Sequence, residues 1–217
     1  MVTLSEENYL KAIYHLGNQG EDAVSTNAIA EQIDTKASSV TDMVKKLAEK
    51  ELANYVKYQG VSLTKSGRLT ARSVIRKHRL WETFLVNKLN FSWDEVHEIA
   101  EQLEHIKSEK LIDKLDDFLE NPTHDPHGDP IPDKNGNYTN VKSKSILEFN
   151  IGNQGELINV KDSSDAFLKY LNKNKLALGD TIKVVDFEPF DESFTIETKS
   201  KTMTISKDVA ENLYLSI

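Results

Sequence analysis

The chain has 217 residues, enough for one large domain or two to three small ones, and its 38% hydrophobic and 29% charged residues are typical of a globular protein. The absence of cysteine excludes disulfides and thiolate metal sites, so any metal would need nitrogen and oxygen ligands. No apolar run approaches the roughly 18 residues of a membrane span, and residues 1–7 are too acidic for a signal peptide. These features predict a cytoplasmic protein without a membrane partner.

The formal net charge of −8 is distributed unevenly along the chain. Residues 1–80 carry a net charge of +3, residues 81–140 carry −9 and residues 141–217 carry −2. A mildly basic start followed by a strongly acidic middle fits a DNA-binding segment joined to a cation-binding segment. A solvated acidic surface is the simpler explanation of the middle segment, so charge alone does not decide between them.

Apolar periodicity and capping residues predict the elements of the first part of the chain. In chain order they are a helix over 6–17, a helix over 26–33, a helix over about 38–50, a β-hairpin over 52–63 and a helix over about 64–89. Residues 25–52 therefore have the spacing of a helix-turn-helix, whose second helix can place its first residues in the major groove of DNA. A helical hairpin that only packs in a core is the alternative. The hairpin after it, which would be a wing, favours DNA binding.

The candidate DNA-binding residues lie at the helix starts and at the tip of the wing. Small hydroxyl and methyl groups at the start of the second helix allow close approach to phosphates and to thymine methyl groups. The candidates are Thr26, Ala37, Ser38, Ser39, Thr41, Asp42, Lys57 and Gln59. Serines at a helix start are commonly only caps, so the individual base contacts stay open.

A helix is also predicted over 92–114, because Ser92 and Glu95 have the spacing of a capping box. Spacings of i, i+4, i+7 and i+8 bring four of its side chains within an arc of about 100°. These side chains are His97, Glu101, Glu104 and His105. Imidazole and carboxylate groups on one stripe are ligands for a divalent transition metal. His78 and Glu82 repeat the i, i+4 spacing on the preceding helix, which favours a metal site over an ordinary solvated face.

The last part of the chain changes character after a loop over 121–140, which holds four of the five prolines. His124 and His127 in this loop are expected to order turns rather than to bind metal. Short β-like runs follow, with one helix over 165–172, and five strands in so short a segment predict an SH3-like barrel. The predicted strands cover 145–151, 156–160, 181–187, 193–198 and 202–205.

Several segments together carry a resemblance to a known family. They are Asn8-Tyr9-Leu10-Lys11-Ala12-Ile13-Tyr14, Ser38-Ser39-Val40-Thr41, Gly60-Val61-Ser62-Leu63-Thr64, Arg76-Lys77-His78-Arg79-Leu80, Val96-His97-Glu98, Glu104-His105 and His127-Gly128-Asp129-Pro130-Ile131-Pro132. Their ordered occurrence over about 5–132 is highly specific. The chain resembles the metal-dependent repressors of the diphtheria toxin repressor and manganese transport regulator family, in the long form with an SH3-like third domain.

The resemblance implies a homodimeric repressor that binds a double-stranded DNA operator of metal-uptake genes when Mn(II) or Fe(II) is bound. It implies neither an enzyme nor a small organic ligand. A primary metal site maps to Asn8, Glu101, Glu104 and His105, and an ancillary site maps to His78, Glu82 and His97. Third-domain ligands of relatives fall near Ser163 and Ala166, which are poor donors, so Asp162 or Asp165 is a possible substitute. Lys11 replaces a second helix-one carboxylate of manganese-type relatives, which argues against a closely spaced two-metal cluster.

The predicted fold is mainly α-helical with a small β domain. We expect a winged helix-turn-helix over 1–73, an all-helical metal-binding and dimerisation domain over 74–140, and an SH3-like, FeoA-like domain over 141–217. Abundant large apolar residues in the middle segment favour a dimer.

Two functions other than that of a metal-dependent repressor are considered as alternatives. A winged-helix regulator not controlled by metal would keep its DNA binding after His97→Ala or Glu104→Ala. A metallohydrolase or di-iron enzyme is disfavoured, because the chain has no His-Glu-x-x-His motif and residue 102 is Gln rather than the Glu of a Glu-x-x-His pair with His105.

Overall fold

The computed structural model describes residues 2–139 and 142–217. The helices are α1 (Leu4–Leu16), α2 (Thr26–Gln32), α3 (Ala37–Glu49), α4 (Lys65–Leu89), α5 (His97–Leu103), α6 (Glu109–Phe118), α7 (Asp165–Lys173) and α8 (Lys207–Asn212). The strands are β1 (Ala53–Val56), β2 (Gly60–Leu63), β3 (Ser143–Ser145), β4 (Gln154–Val160), β5 (Thr181–Glu188), β6 (Ser193–Glu197), β7 (Thr202–Ile205) and β8 (Leu213–Ser216). Within the described ranges, no helix combines the length and hydrophobicity needed to cross a membrane.

The chain divides into two compact units. The first comprises the residues up to Trp81, Ala100–Leu115 and Pro132–Tyr138. The second comprises Glu82–Ile99, Asp116–Ile131 and Thr139–Ile217.

The first unit contains a helix-turn-helix with a β-hairpin, as predicted. In α3, Val40, Val44 and Leu47 are fully buried at i, i+4 and i+7, so one face of the helix enters the core and the opposite face stays exposed. The core residues of α1, α2, α3 and the hairpin include Leu10, Ile13, Ile29, Val40, Val44, Leu47, Val61 and Leu63. The exposed face is thereby held in a fixed orientation relative to α1.

The hairpin that forms the wing is fixed at its base. Strands β1 and β2 pair antiparallel from Ala53 opposite Leu63 to Val56 opposite Gly60. Gly60 has φ +108°, and a Cβ there would lie 2.6 Å from the carbonyl oxygen of Val24, so the position requires glycine. The turn therefore projects Lys57, Tyr58 and Gln59 as an exposed tip.

The second unit contains a six-stranded antiparallel sheet in the order β3-β8-β4-β5-β6-β7. Its apolar side chains, with those of α7 and α8, form a separate core that includes Ile146, Leu157, Leu168, Leu171, Ile182, Ile196 and Leu215. A register shift between Leu157 and Asn159 bends β4 where it leaves β5 and pairs with β8. The small β domain of the predicted fold class is confirmed.

The predicted continuous helix over 92–114 is wrong. Helix α5 ends at Leu103 and α6 begins at Glu109, so Glu104 and His105 lie in the turn between them. The Ser108 hydroxyl accepts from the backbone N–H of Leu111 at 3.3 Å and caps α6, a local hydrogen bond that competes with a continuous helix. Ser92 and Glu95 also bond, but in a turn that precedes α5 rather than at its start.

The predicted strand over 145–151 is largely wrong as well. Strand β3 covers only Ser143–Ser145, and a 3-10 turn over Ile146–Glu148 follows it. Two elements near the end of the chain, α8 and β8, were not predicted. Strand β8 lies between β3 and β4, and its four residues are too short a run for periodicity to detect.

Candidate metal centre and nucleic-acid interface

The predicted DNA-contacting residues form the exposed face of α3 and the tip of the wing. Ser38, Ser39 and Asp42 are exposed, whereas Thr41 is half-buried and its hydroxyl donates to the carbonyl of Ala37 at 3.0 Å. Thr26 is the first residue of α2, which Ser25 caps. Small side chains on an exposed helix start allow close approach to a DNA groove.

The wing tip carries an aromatic residue that sequence reasoning missed. Tyr58 is 93% exposed, and the Lys57 ammonium lies 4.8 Å from the centre of its ring. This cation–π contact holds a positive charge beside a flat apolar surface. The sequence signal that could have identified Tyr58 is its position between two polar candidate residues in a turn.

Glu101 and His105, two residues predicted for the primary metal site, lie near Glu104, which is fully buried in the first unit. The Lys11 ammonium donates to its Oε1 at 2.7 Å and to its Oε2 at 2.9 Å. The same ammonium lies 3.4 Å from Oε1 of Glu101. Lys11 therefore joins α1 to both carboxylates, a contact that its position in the sequence did not predict.

His105 completes this cluster, which we call the Glu104 site and define as Asn8, Glu101, Glu104 and His105. Nδ1 of His105 lies 2.6 Å from Oε2 of Glu7, and its Nε2 lies 3.7 Å from Oε1 of Glu104. A carboxylate on one ring nitrogen fixes the tautomer and leaves the other nitrogen free to ligate a metal. Glu7 was not predicted, although its position one residue before Asn8 is a signal for it.

The electrostatics of Glu104 reflect a balance between burial and its partners. Nδ1 of His78 lies 2.6 Å from Oε2 of Glu104. Burial alone raises the pKa of Glu104, but the hydrogen bond with His78 and the positive charge of Lys11 outweigh it and hold the pKa below its usual value. Glu104 is therefore an ionised, buried carboxylate that requires cationic or donor partners.

Asn8 contributes the observation that points most directly to a ligand. Its side-chain Oδ1 is buried and has no hydrogen-bond partner among residues 2–139 and 142–217. An unsatisfied buried acceptor costs about 1–3 kcal/mol, so such atoms generally have a function. Amide and carboxylate oxygens together with an imidazole nitrogen form a donor set that Mn(II) or Fe(II) accepts.

Two of the three ancillary residues, Glu82 and His97, are in contact in the second unit. Glu82 is buried on α4, and Nδ1 of the half-exposed His97 lies 3.5 Å from its Oε1. His78 lies one turn before Glu82 on α4, and its Nδ1 contacts Glu104. The prediction that His97 and His105 share one stripe with Glu101 and Glu104 is therefore wrong, because the helix ends before Glu104.

A second carboxylate–histidine cluster lies in the second unit. Glu82, Asp125 and His127 are all buried, and one ligand atom from each lies within 4.8 Å of the others. We call this set the Glu82 site. Asp125 was not predicted, and the expectation that His127 only orders a turn misses this juxtaposition. The signal was Asp-Pro-His-Gly, which places a carboxylate and an imidazole two residues apart in a rigid loop.

The charge state of His127 differs from that of an ordinary histidine. Its Nδ1 lies 3.7 Å from Oε2 of Glu82 and 3.9 Å from Oδ1 of Asp125, and its Nε2 lies 2.9 Å from the carbonyl oxygen of Trp93. Burial alone lowers the pKa of His127, but the carboxylates of Glu82 and Asp125 raise it to about 9. An imidazolium therefore balances the two carboxylates at neutral pH.

The loop that carries Asp125 and His127 is held by the β domain. The backbone N–H of Val160 in β4 donates to the carbonyl of His127 at 3.1 Å, and the amide of Asn159 donates to Asp129 at 2.9 Å. A Cβ on Gly128 would lie 1.9 Å from the carbonyl oxygen of Ile158, so only glycine allows this approach.

The remaining candidate ligands are His124, Asp162 and Asp165. His124 bonds to the Thr123 hydroxyl at 3.0 Å and forms a bridge with Pro130, which agrees with a role in ordering the loop. Oδ1 of Asp162 accepts from the N–H of Ser164 at 2.8 Å. Asp165 begins α7, but its side chain lies outside the described part of the structure.

A winged helix-turn-helix beside a buried carboxylate–histidine cluster defines a DNA-binding regulator rather than an enzyme. Residues 1–61 match the iron-dependent repressor N-terminal DNA-binding domain, residues 64–133 match the iron-dependent repressor metal-binding and dimerisation domain, and residues 144–217 match the FeoA domain. The chain therefore belongs to the diphtheria toxin repressor and manganese transport regulator family of metal-dependent repressors.

Individual relatives agree with this assignment. The iron-dependent repressor IdeR of Mycobacterium bovis is 37% identical over 126 residues, which are 58% of this chain and 54% of that protein. The chain thus spans about half the length of the curated relatives it matches. A manganese-dependent transcriptional repressor in complex with manganese has a TM-score of 0.87 and 33% identity over 98% of this chain and 100% of that chain. The manganese regulator SloR has a TM-score of 0.76 and 35% identity over 97% of both chains.

Proposed function

We propose that the protein is a transcriptional repressor that binds double-stranded operator DNA as a homodimer when Mn(II) or Fe(II) is bound, and that it controls metal-uptake genes in the cytoplasm. The observation that carries this proposal is the Glu104 site, whose buried Glu104 carboxylate and buried Asn8 Oδ1 lie in the same compact unit as the exposed face of α3. The named relatives are iron- or manganese-dependent repressors, which agrees with it.

The Glu104 site would hold the metal through Asn8, Glu101, Glu104 and His105. The orphaned Oδ1 of Asn8 and the Nε2 of His105 are the neutral donors, and the two glutamates supply negative charge. A divalent cation held by these residues would neutralise the two carboxylates, and Asn8 would link α1 to it. Glu7 orients His105 through Nδ1 whether or not the cation is bound.

We propose the Glu82 site, Glu82 with Asp125 and His127, as a second metal site. Glu82 also belongs to the ancillary set with His78 and His97, and His97 lies 3.5 Å from it. Asp165 stays a candidate ligand. Both sites offer only oxygen and nitrogen donors, which suits Mn(II) and Fe(II), and their relative availability would decide between the two ions.

Helix α1 gives a physical connection between the Glu104 site and the DNA-binding face. Its Glu6 carboxylate accepts from the Lys50 ammonium at 2.7 and 2.8 Å, and Lys50 directly follows the last residue of α3. The adjacent Glu7 contacts His105. A change in the position of α1 is therefore transmitted to the end of α3, and the metal can shift this equilibrium only as far as its affinities for the two states differ.

The same proposal assigns roles to the other parts of the chain. The DNA contacts come from Thr26, Ala37, Ser38, Ser39, Thr41, Asp42, Lys57 and Gln59. The functional domains are 1–73, 74–140 and 141–217. Large exposed apolar residues of α4 and α6 support dimerisation through the helical domain, and they include Leu89, Leu111 and Phe118.

The test is duplex binding to the DNA upstream of the chain's own coding sequence, with chelator, Mn(II) or Fe(II), for wild type and Glu104→Ala. We expect metal to tighten wild-type binding at fixed salt, and the variant to lose this response. Equal binding in chelator would instead establish the winged-helix regulator not controlled by metal. A Lys207→Met variant, far along the sequence in the β domain, is the control.

A further inference from the structure

We propose that the Lys11 ammonium is the resident cation of the Glu104 site, so that a divalent ion enters only by displacing it. Lys11 would thereby set the metal concentration at which this site fills. The inference rests on the proposed function for the identity of the incoming ion, and otherwise on the geometry of the first unit.

The ammonium is bonded to both oxygens of Glu104 and lies near the carboxylate of Glu101. Its Nζ lies 2.7 and 2.9 Å from the two oxygens of Glu104 and 3.4 Å from Oε1 of Glu101. Oε1 of Glu104, which receives the shortest of these bonds, is also the oxygen that lies 3.7 Å from Nε2 of His105. The ammonium therefore already holds the carboxylate oxygens that a metal at this site would need.

The ammonium and a metal would compete for the same carboxylate oxygens. The side chain of Glu104 is 1% exposed, so its negative charge needs a nearby cation at all times. Either the ammonium or a metal satisfies this need, but both together would place two cations on the same carboxylate faces. Exchange therefore preserves the compensation of Glu104 while it releases the lysine.

Lys11 has the properties that exchange requires. Its side chain is 16% exposed, so solvent is within reach of the buried ammonium. The four-carbon stem of lysine is flexible and its ammonium is strongly hydrated, which makes the released state favourable in water. A guanidinium in the same place would bind a carboxylate in a fixed bidentate geometry and would be harder to displace.

A consequence is that α1 is anchored even without metal. Lys11 ties α1 to Glu101 and Glu104, and the Lys107 ammonium donates to the carbonyl of Val2 at 3.2 Å. Metal binding thus replaces one anchor by another rather than creating the first one. The metal response depends on the difference between these two anchored states.

The first test is a Mn²⁺ titration of the full chain in competition with a fluorescent chelator. All proteins carry Glu82→Gln to silence the Glu82 site. We expect Lys11→Met to bind Mn²⁺ at least tenfold more tightly than the parent, because no cation has to leave. Lys11→Arg should bind no more tightly than the parent. Lys207→Met is the matched control, because Lys207 makes a similar pair with Glu192 at 2.8 and 2.9 Å on the surface.

A second measurement uses the wild-type chain and covers the case in which Lys11→Met does not fold. Amine labelling by an acylating reagent is followed residue by residue, in chelator and in saturating Mn²⁺. We expect labelling of Lys11 to increase several-fold with Mn²⁺ and labelling of Lys207 to stay constant.

The outcomes separate the inference from the proposed function. Unchanged or weaker Mn²⁺ binding by a folded Lys11→Met protein, or constant labelling of Lys11 at saturation, would overturn the inference while metal-dependent DNA binding stands. If the parent binds no Mn²⁺ at the Glu104 site and duplex binding is indifferent to metal, both are overturned.

Discussion

The Glu104 site and the Glu82 site compensate the charge of a buried glutamate in different ways. Each contains a fully buried glutamate beside histidines, but Glu104 is balanced by the Lys11 ammonium, whereas Glu82 and Asp125 are balanced by a protonated His127. A lysine leaves a site with its proton, while a histidine must lose its proton before Nδ1 can bind a metal. The two sites should therefore respond to pH and to substitution differently.

The largest expected effect that distinguishes the two sites is the loss of stability caused by Glu104→Ala in the metal-free protein. The substitution leaves Lys11 and His78 without their buried carboxylate, and breaking a buried ion pair typically costs about 3–5 kcal/mol of unfolding free energy. Urea denaturation in chelator measures this cost. A loss of unfolding free energy below about 1 kcal/mol would show that Lys11 and His78 do not stabilise the Glu104 carboxylate in the absence of metal.

The Glu82 site should show its difference in the pH dependence of metal-free stability. The pKa of His127 is raised from 6.5 to about 9 on folding, so its contribution is fully present below pH 6.5 and is lost as pH rises through about 9. A shift of this size corresponds to about 3 kcal/mol. Denaturation of wild type and His127→Gln across this range should converge at high pH, and a constant difference would contradict the assignment.

Metal binding itself should sharpen the comparison. In a Glu104→Ala background, affinity of the Glu82 site for Mn(II) should rise about tenfold per pH unit up to the pKa of His127, about 9, because one proton leaves for each ion bound. In a Glu82→Gln background the rise should be shallower, since the cation displaced from the Glu104 site is an ammonium rather than a proton. Calorimetry in two buffers of different ionisation enthalpy counts the protons, and equal release at both sites would refute the distinction.

The smallest expected effect concerns the wing rather than the metal sites. Tyr58→Ala should weaken operator binding about threefold and leave stability unchanged, because the side chain is 93% exposed and only a partner can bury it. Phe190→Ala is the matched control, since Phe190 is 95% exposed on the β5–β6 turn. Duplex titrations in saturating Mn(II) measure both. An equal loss of operator affinity in Phe190→Ala would show that the effect comes from exposed apolar surface in general and not from the wing.

Sequence reasoning succeeded where local patterns determine structure. The apolar spacing of Val40, Val44 and Leu47 is enough to predict α3 and its exposed face, because burial of that stripe is the main constraint on the helix. The hairpin follows from alternation and a glycine at the turn.

Sequence reasoning fell short where distant residues meet. The break after Leu103 depends on a short-range choice between a continuous helix and the cap at Ser108, which periodicity cannot detect. The Glu82 site joins α4 to a loop more than forty residues later, and the contact of Lys11 with Glu104 spans 93 residues. Such juxtapositions follow from tertiary packing and not from spacing.

Anomalous diffraction at the manganese edge, from crystals of the full chain grown with Mn(II), tests most directly whether these clusters are metal sites. We predict one peak bounded by Asn8, Glu101, Glu104 and His105, with Lys11 turned away, and a second beside Glu82 and His127. Crystals that bind Mn(II) at neither cluster, or a peak at the first with Lys11 still bonded to Glu104, would contradict this prediction.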